Sequence, residues 1–295
     1  MANHEEIHKE NRGHIAYGIF LNGFFTIIEF VVGLLSNSLA LMSDALHDLS
    51  DTLALLLSWF AAKKAEDKPT AEKTWGYHRA TILAAFVNGI VLVLLTLFIF
   101  YRAYSRILNP EPVEGAYVFW LAVIGILFNG AILLRMRKAK ESDLNLKSIS
   151  WHIGEDVLGW IGVLIAGIVI IFTDFYIIDP IMSILIGLIV LKGAWGIIDE
   201  ATHILLEGVP KNIALKDVEK EILKVKDVKG VHDTHVWNVG SKHNVLSAHI
   251  VVNDMMICDT NKIIGKINNI LKKKFGIGHT TLAFESDKCW YGNGH

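Results

Sequence analysis

The sequence predicts an α-helical membrane protein of six transmembrane helices followed by a C-terminal α+β domain. Two observations carry that prediction. Of 295 residues, 52% are hydrophobic, and the mean hydropathy is +0.41, above the apolar share of ordinary soluble domains. A span needs about 20 mostly apolar residues, and six segments qualify: 14–36, 38–62, 80–107, 116–136, 148–173 and 177–206. From Val209 the composition changes to alternating charge with short apolar runs, none long enough to cross a bilayer.

Taken in order, residues 1–13 form a polar tail without the basic patch, apolar core and small-residue site of a cleaved signal peptide, so the first apolar segment is expected to stay. The six-helix domain then occupies 14–208. Its first two spans are joined only by Ser36-Asn37-Ser38, and its last two by Asp174 to Asp179, so each pair is an antiparallel hairpin. Twelve lysines and arginines flank the side that holds the N-terminus, whereas only Arg102 and Arg106 flank the other. Positive loops stay inside, so both termini are expected in the cytoplasm. A net charge of −2 gives no nucleic-acid signal, and Cys258 and Cys289 are too few and too far apart for a disulfide framework.

Residues 209–286 read as a small α+β domain, with 287–295 as a terminal tail. Leu215, Val218, Ile222 and Val225 repeat at helical spacing, as do Ile263, Ile264, Ile267, Ile270 and Leu271. Strand candidates lie at 231–239, 245–252 and 280–285. The order helix, strand, strand, helix, strand suits an open sheet with both helices on one face. About 85 residues is small for a lone fold, which favours pairing with a second copy.

The chemistry sits in the second span, Ser43-Asp44-Ala45-Leu46-His47-Asp48-Leu49-Ser50-Asp51. Successive helical residues turn by about 100°, so Asp44, His47, Asp48 and Asp51 fall in one arc. Ionisable groups in hydrocarbon are expensive and mark function. The fifth span opens Ser150-Trp151-His152-Ile153-Gly154-Glu155-Asp156, repeating in His152 and Asp156 the four-residue spacing of His47 and Asp51. Two imidazoles and two carboxylates on facing helices make a four-coordinate set suited to Zn²⁺ or a similar ion such as Cd²⁺ or Co²⁺. The competing readings are pore-facing polar groups or a proton relay without metal. Asp44 and Asp48 read as packing or interfacial groups, with Asp48 and Glu155 as candidates for orienting the histidines. The two pairs align in depth only if the fifth helix begins earlier than its apolar run, near Ser142.

These features resemble the cation diffusion facilitator family of metal transporters, in its zinc-type branch. The resemblance rests on the Ser43–Asp51 stretch, on Trp75-Gly76-Tyr77-His78-Arg79-Ala80, on His152 with Asp156, and on Val231-His232-Asp233-Thr234-His235-Val236-Trp237 in the tail. It implies a homodimeric exporter in the plasma membrane that exchanges a cytoplasmic divalent ion for protons. It also implies a ferredoxin-like cytoplasmic domain. His47, Asp51, His152 and Asp156 would form the transport site, and histidine in both spans points to zinc, with cadmium and cobalt open. His232, His249 and Glu285 match positions where the branch holds metal in the cytoplasmic domain; His235 belongs to the strand motif, and His279 is a weaker candidate. No organic cofactor is expected. His78 reads as structural, His4, His8 and His14 as weak capture groups at most, and Cys289 and His295 as part of a disordered terminal tail.

Two rival functions remain at this stage. A membrane metal-dependent hydrolase would need an open coordination position and a separate base, for which only Glu155 is near. A metal sensor acting through the cytoplasmic domain would leave the span residues without a role.

Overall fold

The computed structural model describes residues 22–64, 69–137, 144–240 and 243–286; within these, the side chains of 51, 55, 58, 59, 61–64, 132, 135–137, 144–153 and 155 lie outside the description. The terminal segments, and with them His4, His8, His14, Cys289 and His295, also lie outside it. Six long helices come first: α1 (Asn22–Leu35), α2 (Leu39–Lys64), α3 (Ala80–Leu108), α4 (Gly115–Arg137), α5 (Leu144–Thr173) and α6 (Ile178–Leu205). Then follow α7 (Leu215–Leu223), β1 (Val228–Gly240), β2 (His243–Val252), α8 (Ile257–Phe275) and β3 (Ile277–Ser286). Among the described residues, helix α3, the Asp156–Thr173 part of α5, and α6 are each long and apolar enough to cross a membrane, and Asn22–Leu35 and Gly115–Ala131 are shorter apolar helical stretches. Helix α5 is already formed at Leu144, well before its apolar run, as alignment of the two histidine pairs requires.

The chain divides into two compact units, one made of the residues up to Leu56 with Val87–Gly196, the other of Leu57–Phe86 with the residues from Ile197 onwards. The first unit has a core drawn from all six long helices, with Leu41, Leu92, Val118, Trp160 and Ile186 buried and Phe25 and Ile28 of α1 packed against them. Its outer surface is apolar instead of polar: Leu158, Trp120 and Phe172 are exposed. Such a shell is stable against lipid, where apolar exposure costs nothing. Small residues let α4 and α5 approach closely. A Cβ on Gly125 would run into the Trp160 ring, and one on Gly167 would sit 3.0 Å from the Phe119 backbone nitrogen.

The far end of α2 is closed by a carboxylate from another helix. Asp179, in the first turn of α6, is fully buried; it accepts from the Ser38 hydroxyl and from the backbone N–H of Leu39 at 2.7 Å and of Ala40 at 3.3 Å. These are N–H groups that no intrahelical carbonyl can reach, and an anion there also meets the positive end of the helix dipole. Arg106 donates to the Asn37 carbonyl and side-chain oxygens and lies 3.8 Å from Asp179. Asn37 itself takes φ of 56°, the left-handed conformation that a three-residue hairpin demands and that Asn tolerates.

In the second unit, Ile82 of α3 packs with Ala201 and Ile204 of α6, and Arg79 meets Glu207 at 2.8 Å. The tail has the expected order. Its sheet runs β1-β2-β3, antiparallel between β1 and β2 and parallel between β2 and β3, with α8 as the crossover. Val218 and Ile222 of α7 and Ile263, Ile267 and Leu271 of α8 pack on Val236, Leu246, Ala248 and Ile250. Both helices therefore cover one face of the sheet. Helix α8 ends at Gly276, whose φ of 64° lets its N–H reach back to the Leu271 carbonyl.

Candidate metal centres

The first centre lies between α2 and α5. His47 Nε2 stands 3.6 Å from Asp156 Oδ1, with the two side chains 24% and 17% exposed, so the pair borders open space instead of being sealed in the core. At 3.6 Å this is an ion-pair approach too long for a hydrogen bond, and Asp156 Oδ1 has no hydrogen-bond partner among the described residues. A buried acceptor in that state costs about 1–3 kcal/mol. A bound cation would remove the cost. The side chains of Asp51 and His152 lie outside the description, but the helices that carry them do not. A Cβ at Gly159 would sit 3.7 Å from Asp44 Oδ1, and three residues further along α2 His47 meets Asp156, three residues back along α5. The helices are thus antiparallel in register. Asp51, one turn beyond His47, falls level with His152, one turn before Asp156.

The second centre is on the sheet face that the helices leave open. Because side chains alternate along β2, Leu246, Ala248 and Ile250 point to the helices and His249 points away. His232 pairs directly with His249, and Glu285 pairs with Val251 on the parallel strand. Their carboxylate and rings meet: Glu285 Oε1 is 2.5 Å from His249 Nδ1, and Oε2 is 3.0 Å from His232 Nε2. One ligand atom from each of the three lies within 4.8 Å of the others. The two imidazoles, His249 first, hold the Glu285 carboxyl below its usual range. Two nitrogens and a carboxylate oxygen at that spacing fit Zn²⁺ chemistry.

His235 and His279 stand apart from that cluster. His235 is held by Asp233 at 2.8 Å, and the His279 ring packs edge-on against Trp75 at 5.0 Å. His78 stacks on His243 at 4.6 Å, in keeping with a structural role. Sequence reasoning missed Asp233, which also comes within 3.8 Å of His249 Nε2. Strand parity hides it. His232 and His235 are an odd number of residues apart yet pair with His249 and Ser247, which share a face, so β1 must contain a bulge. Asp233 occupies that bulge with φ of 48°. An acidic residue between two strand histidines was the available signal. Asn22 makes a helix contact, donating to Thr52 Oγ1 at 3.0 Å, and Lys192 is exposed on α6.

Helical spans with paired ionisable groups, and a small sheet domain with a histidine cluster, define a membrane-embedded cation transporter. Residues 15–206 match the model of the cation efflux transmembrane domain, and residues 210–287 match that of the cation efflux protein cytoplasmic domain. The chain belongs to the cation efflux family and is a transporter, not an enzyme. It is 36% identical to zinc transporter ZitB of Pectobacterium atrosepticum over 97% of this chain and 89% of that protein. It is 37% identical to the cadmium, cobalt and zinc/H(+)-K(+) antiporter of Bacillus subtilis, over 91% and 87%. With the metal cation efflux system protein CzcD of Cupriavidus metallidurans it shares 36% identity, over 95% and 88%.

Proposed function

We propose that this protein exports Zn²⁺ from the cytoplasm in exchange for protons, with Cd²⁺ and Co²⁺ as further cargo, by alternating access at a site made of His47, Asp51, His152 and Asp156. The observation that supports this best is the approach of His47 to Asp156 across two spans. In that site the ion takes two imidazole nitrogens and two carboxylate oxygens, a closed tetrahedron. Ligands bind metal only when deprotonated, and imidazole changes state near its reference pKa of about 6.5. Protons and metal therefore compete. The site loads while open to the cytoplasm; after outward rocking, protonation of His47 or His152 expels the ion. The name of the ZitB relative favours zinc, that of the CzcD relative favours metal cation efflux, and that of the Bacillus antiporter favours zinc, cadmium and cobalt with a proton-coupled exchange.

The same reading puts both termini in the cytoplasm of a plasma-membrane homodimer, with His232, His249 and Glu285 as a regulatory metal site in the cytoplasmic domain. Zn²⁺ uptake by proteoliposomes under an imposed pH gradient tests the whole. Wild-type protein should accumulate Zn²⁺ and Asp51→Ala should not; unchanged uptake by the variant, or metal affinity independent of pH between about 6 and 8, would contradict it.

A further inference from the structure

Helices α4 and α5 meet through glycines set against Trp160 and Phe119. Helices α2 and α6 are joined by buried polar pairs instead. Ser43 donates to the Leu39 carbonyl at 3.0 Å, which leaves its oxygen to accept from the Ser183 hydroxyl of α6 at 2.7 Å. About one turn nearer the ends of the two helices, the Ser38 hydroxyl donates to Asp179. Ser38, Asp179 and Ser183 are fully buried and Ser43 nearly so. This seam lies between His47 and the helix ends opposite those from which α6 leads into the tail. Ser43 is about 6 Å from His47 along α2 and Ser38 about 14 Å.

Arg106 of α3 clasps the outer end of the seam. It donates to both oxygens of Asn37 in the α1–α2 turn, and it meets Asp179 at 3.8 Å and Glu111 of the α3–α4 loop at 3.0 Å. The turn is tied to that loop a second time: Asn37 Nδ2 donates to Glu111 at 3.2 Å and to the Pro112 carbonyl at 3.1 Å, and the Glu114 N–H donates to the Ser36 carbonyl at 2.9 Å. The α1–α2 turn, the α3–α4 loop and the first turn of α6 thus converge on one guanidinium that is 5% exposed. Its Nε–H finds no acceptor among the described residues. A permanent staple would satisfy every buried donor; an incomplete one suits a contact that is broken and remade. Parting an apolar seam exposes apolar area to water at full cost. Parting a polar one exchanges each hydrogen bond for one to water, and the separated charges regain their hydration. The α2–α6 seam therefore holds while dry and opens at small net cost once water enters.

We propose that the α2–α6 seam, clasped by Arg106, is the far-side gate of the transporter. In this structure it is shut. It parts between Ser43 and Ser183 and between Ser38 and Asp179 to let the ion leave, and the freed hydroxyl and carboxylate oxygens then line the exit. This rests on the alternating-access reading above and names the element that such a cycle must open.

A reversible lock tests this. The Ser43 and Ser183 oxygens are close enough for Ser43→Cys with Ser183→Cys to form a disulfide across the seam, in full-length protein that also carries Cys258→Ser and Cys289→Ser. Zn²⁺ uptake by proteoliposomes under a pH gradient should be lost on oxidation and return on reduction, while oxidised and reduced protein bind the same number of Zn²⁺ ions. A bond between two helices that never part would be harmless, so uptake that continues in the oxidised protein overturns the proposal. Loss of a bound Zn²⁺ on oxidation also overturns it, because the lock would then have spoiled the metal site. If the double variant does not fold or forms no disulfide, Ser183→Cys alone decides. A membrane-impermeant thiol reagent, applied to the face away from the tail in vesicles sorted for that orientation, should label it several-fold faster during Zn²⁺ transport than without Zn²⁺. Equal rates overturn the gate. A wild type that takes up no Zn²⁺ in the same vesicles removes the transport reading itself.

Discussion

The two candidate centres use the same residue types in opposite states. On the sheet, Glu285 bridges both imidazoles at 2.5 and 3.0 Å, so histidine and carboxylate satisfy one another without an ion. Between α2 and α5, His47 and Asp156 stop at 3.6 Å and, among the described residues, a buried oxygen of Asp156 is left without a donor. Backbone spacing explains the difference. Cross-strand neighbours sit about 4.5–5.5 Å apart at Cβ, close enough for side chains to close on each other. Helices are held apart by their whole diameter, so the ligands converge on a gap. A centre that is already satisfied must give up hydrogen bonds to take metal, which suits a sensor of concentration. An unsatisfied one gains on binding and suits a carrier.

The largest effect that contrast predicts is at the membrane centre. His47→Ala should lower transport at least about 100-fold, since loss of a ligand should exceed the 10–100-fold cost of losing a supporting contact. Radioactive Zn²⁺ uptake by vesicles measures it, and a loss of only a few-fold would break the comparison. Next comes the packing that holds the helices in register. Gly125→Ala would press a methyl into the Trp160 ring and cost about 1–3 kcal/mol. A lower Tm in detergent, with Zn²⁺ binding to the cytoplasmic domain unchanged, is the expected result. A smaller effect on export follows from His249→Ala. It should weaken Zn²⁺ binding by the cytoplasmic domain roughly 10-fold or more while export at saturating Zn²⁺ continues. Isothermal titration and uptake on the same preparation separate the two.

The smallest effect concerns stability alone. Lys224 and Lys274, each 2.7 Å from Glu221, hold its carboxyl down to about 2, and the Lys274 pair ties α7 to α8. A carboxyl whose folded value is depressed stabilises the fold fully above the ordinary carboxylate range, and that contribution fades as pH falls towards the folded value. Glu221→Gln should therefore lower Tm slightly at neutral pH, and the difference from wild type should vanish towards pH 2. Being exposed to solvent, the pair should also lose strength in high salt.

What could be read from the sequence was whatever depends on local period. The spans follow from unbroken apolar runs such as 80–107, and the tail order follows from a switch between helical and alternating patterns. The spacing of four in His47–Asp51 and His152–Asp156 is also local. Relations between distant segments were not legible. The two pairs could be set on facing helices, but which histidine meets which aspartate was not legible; the approach seen is His47 to Asp156. Asp179 closing the end of α2 has no local signature, because the two residues meet only once α2 and α6 pack. Asp233 was masked by a bulge that breaks strand alternation. Glu29 could be placed on one face with Asn22 by its spacing of seven. Its complete burial depends on how the long helices pack.

The central claim is that the membrane pair moves the ion and the sheet cluster does not. Zn²⁺ uptake by proteoliposomes, driven by a pH gradient, tests it most directly when Asp156→Ala and His249→Ala are compared in one experiment. Asp156→Ala should abolish uptake and His249→Ala should retain it. Uptake that survives Asp156→Ala, or is lost with His249→Ala in a folded protein, would contradict the account.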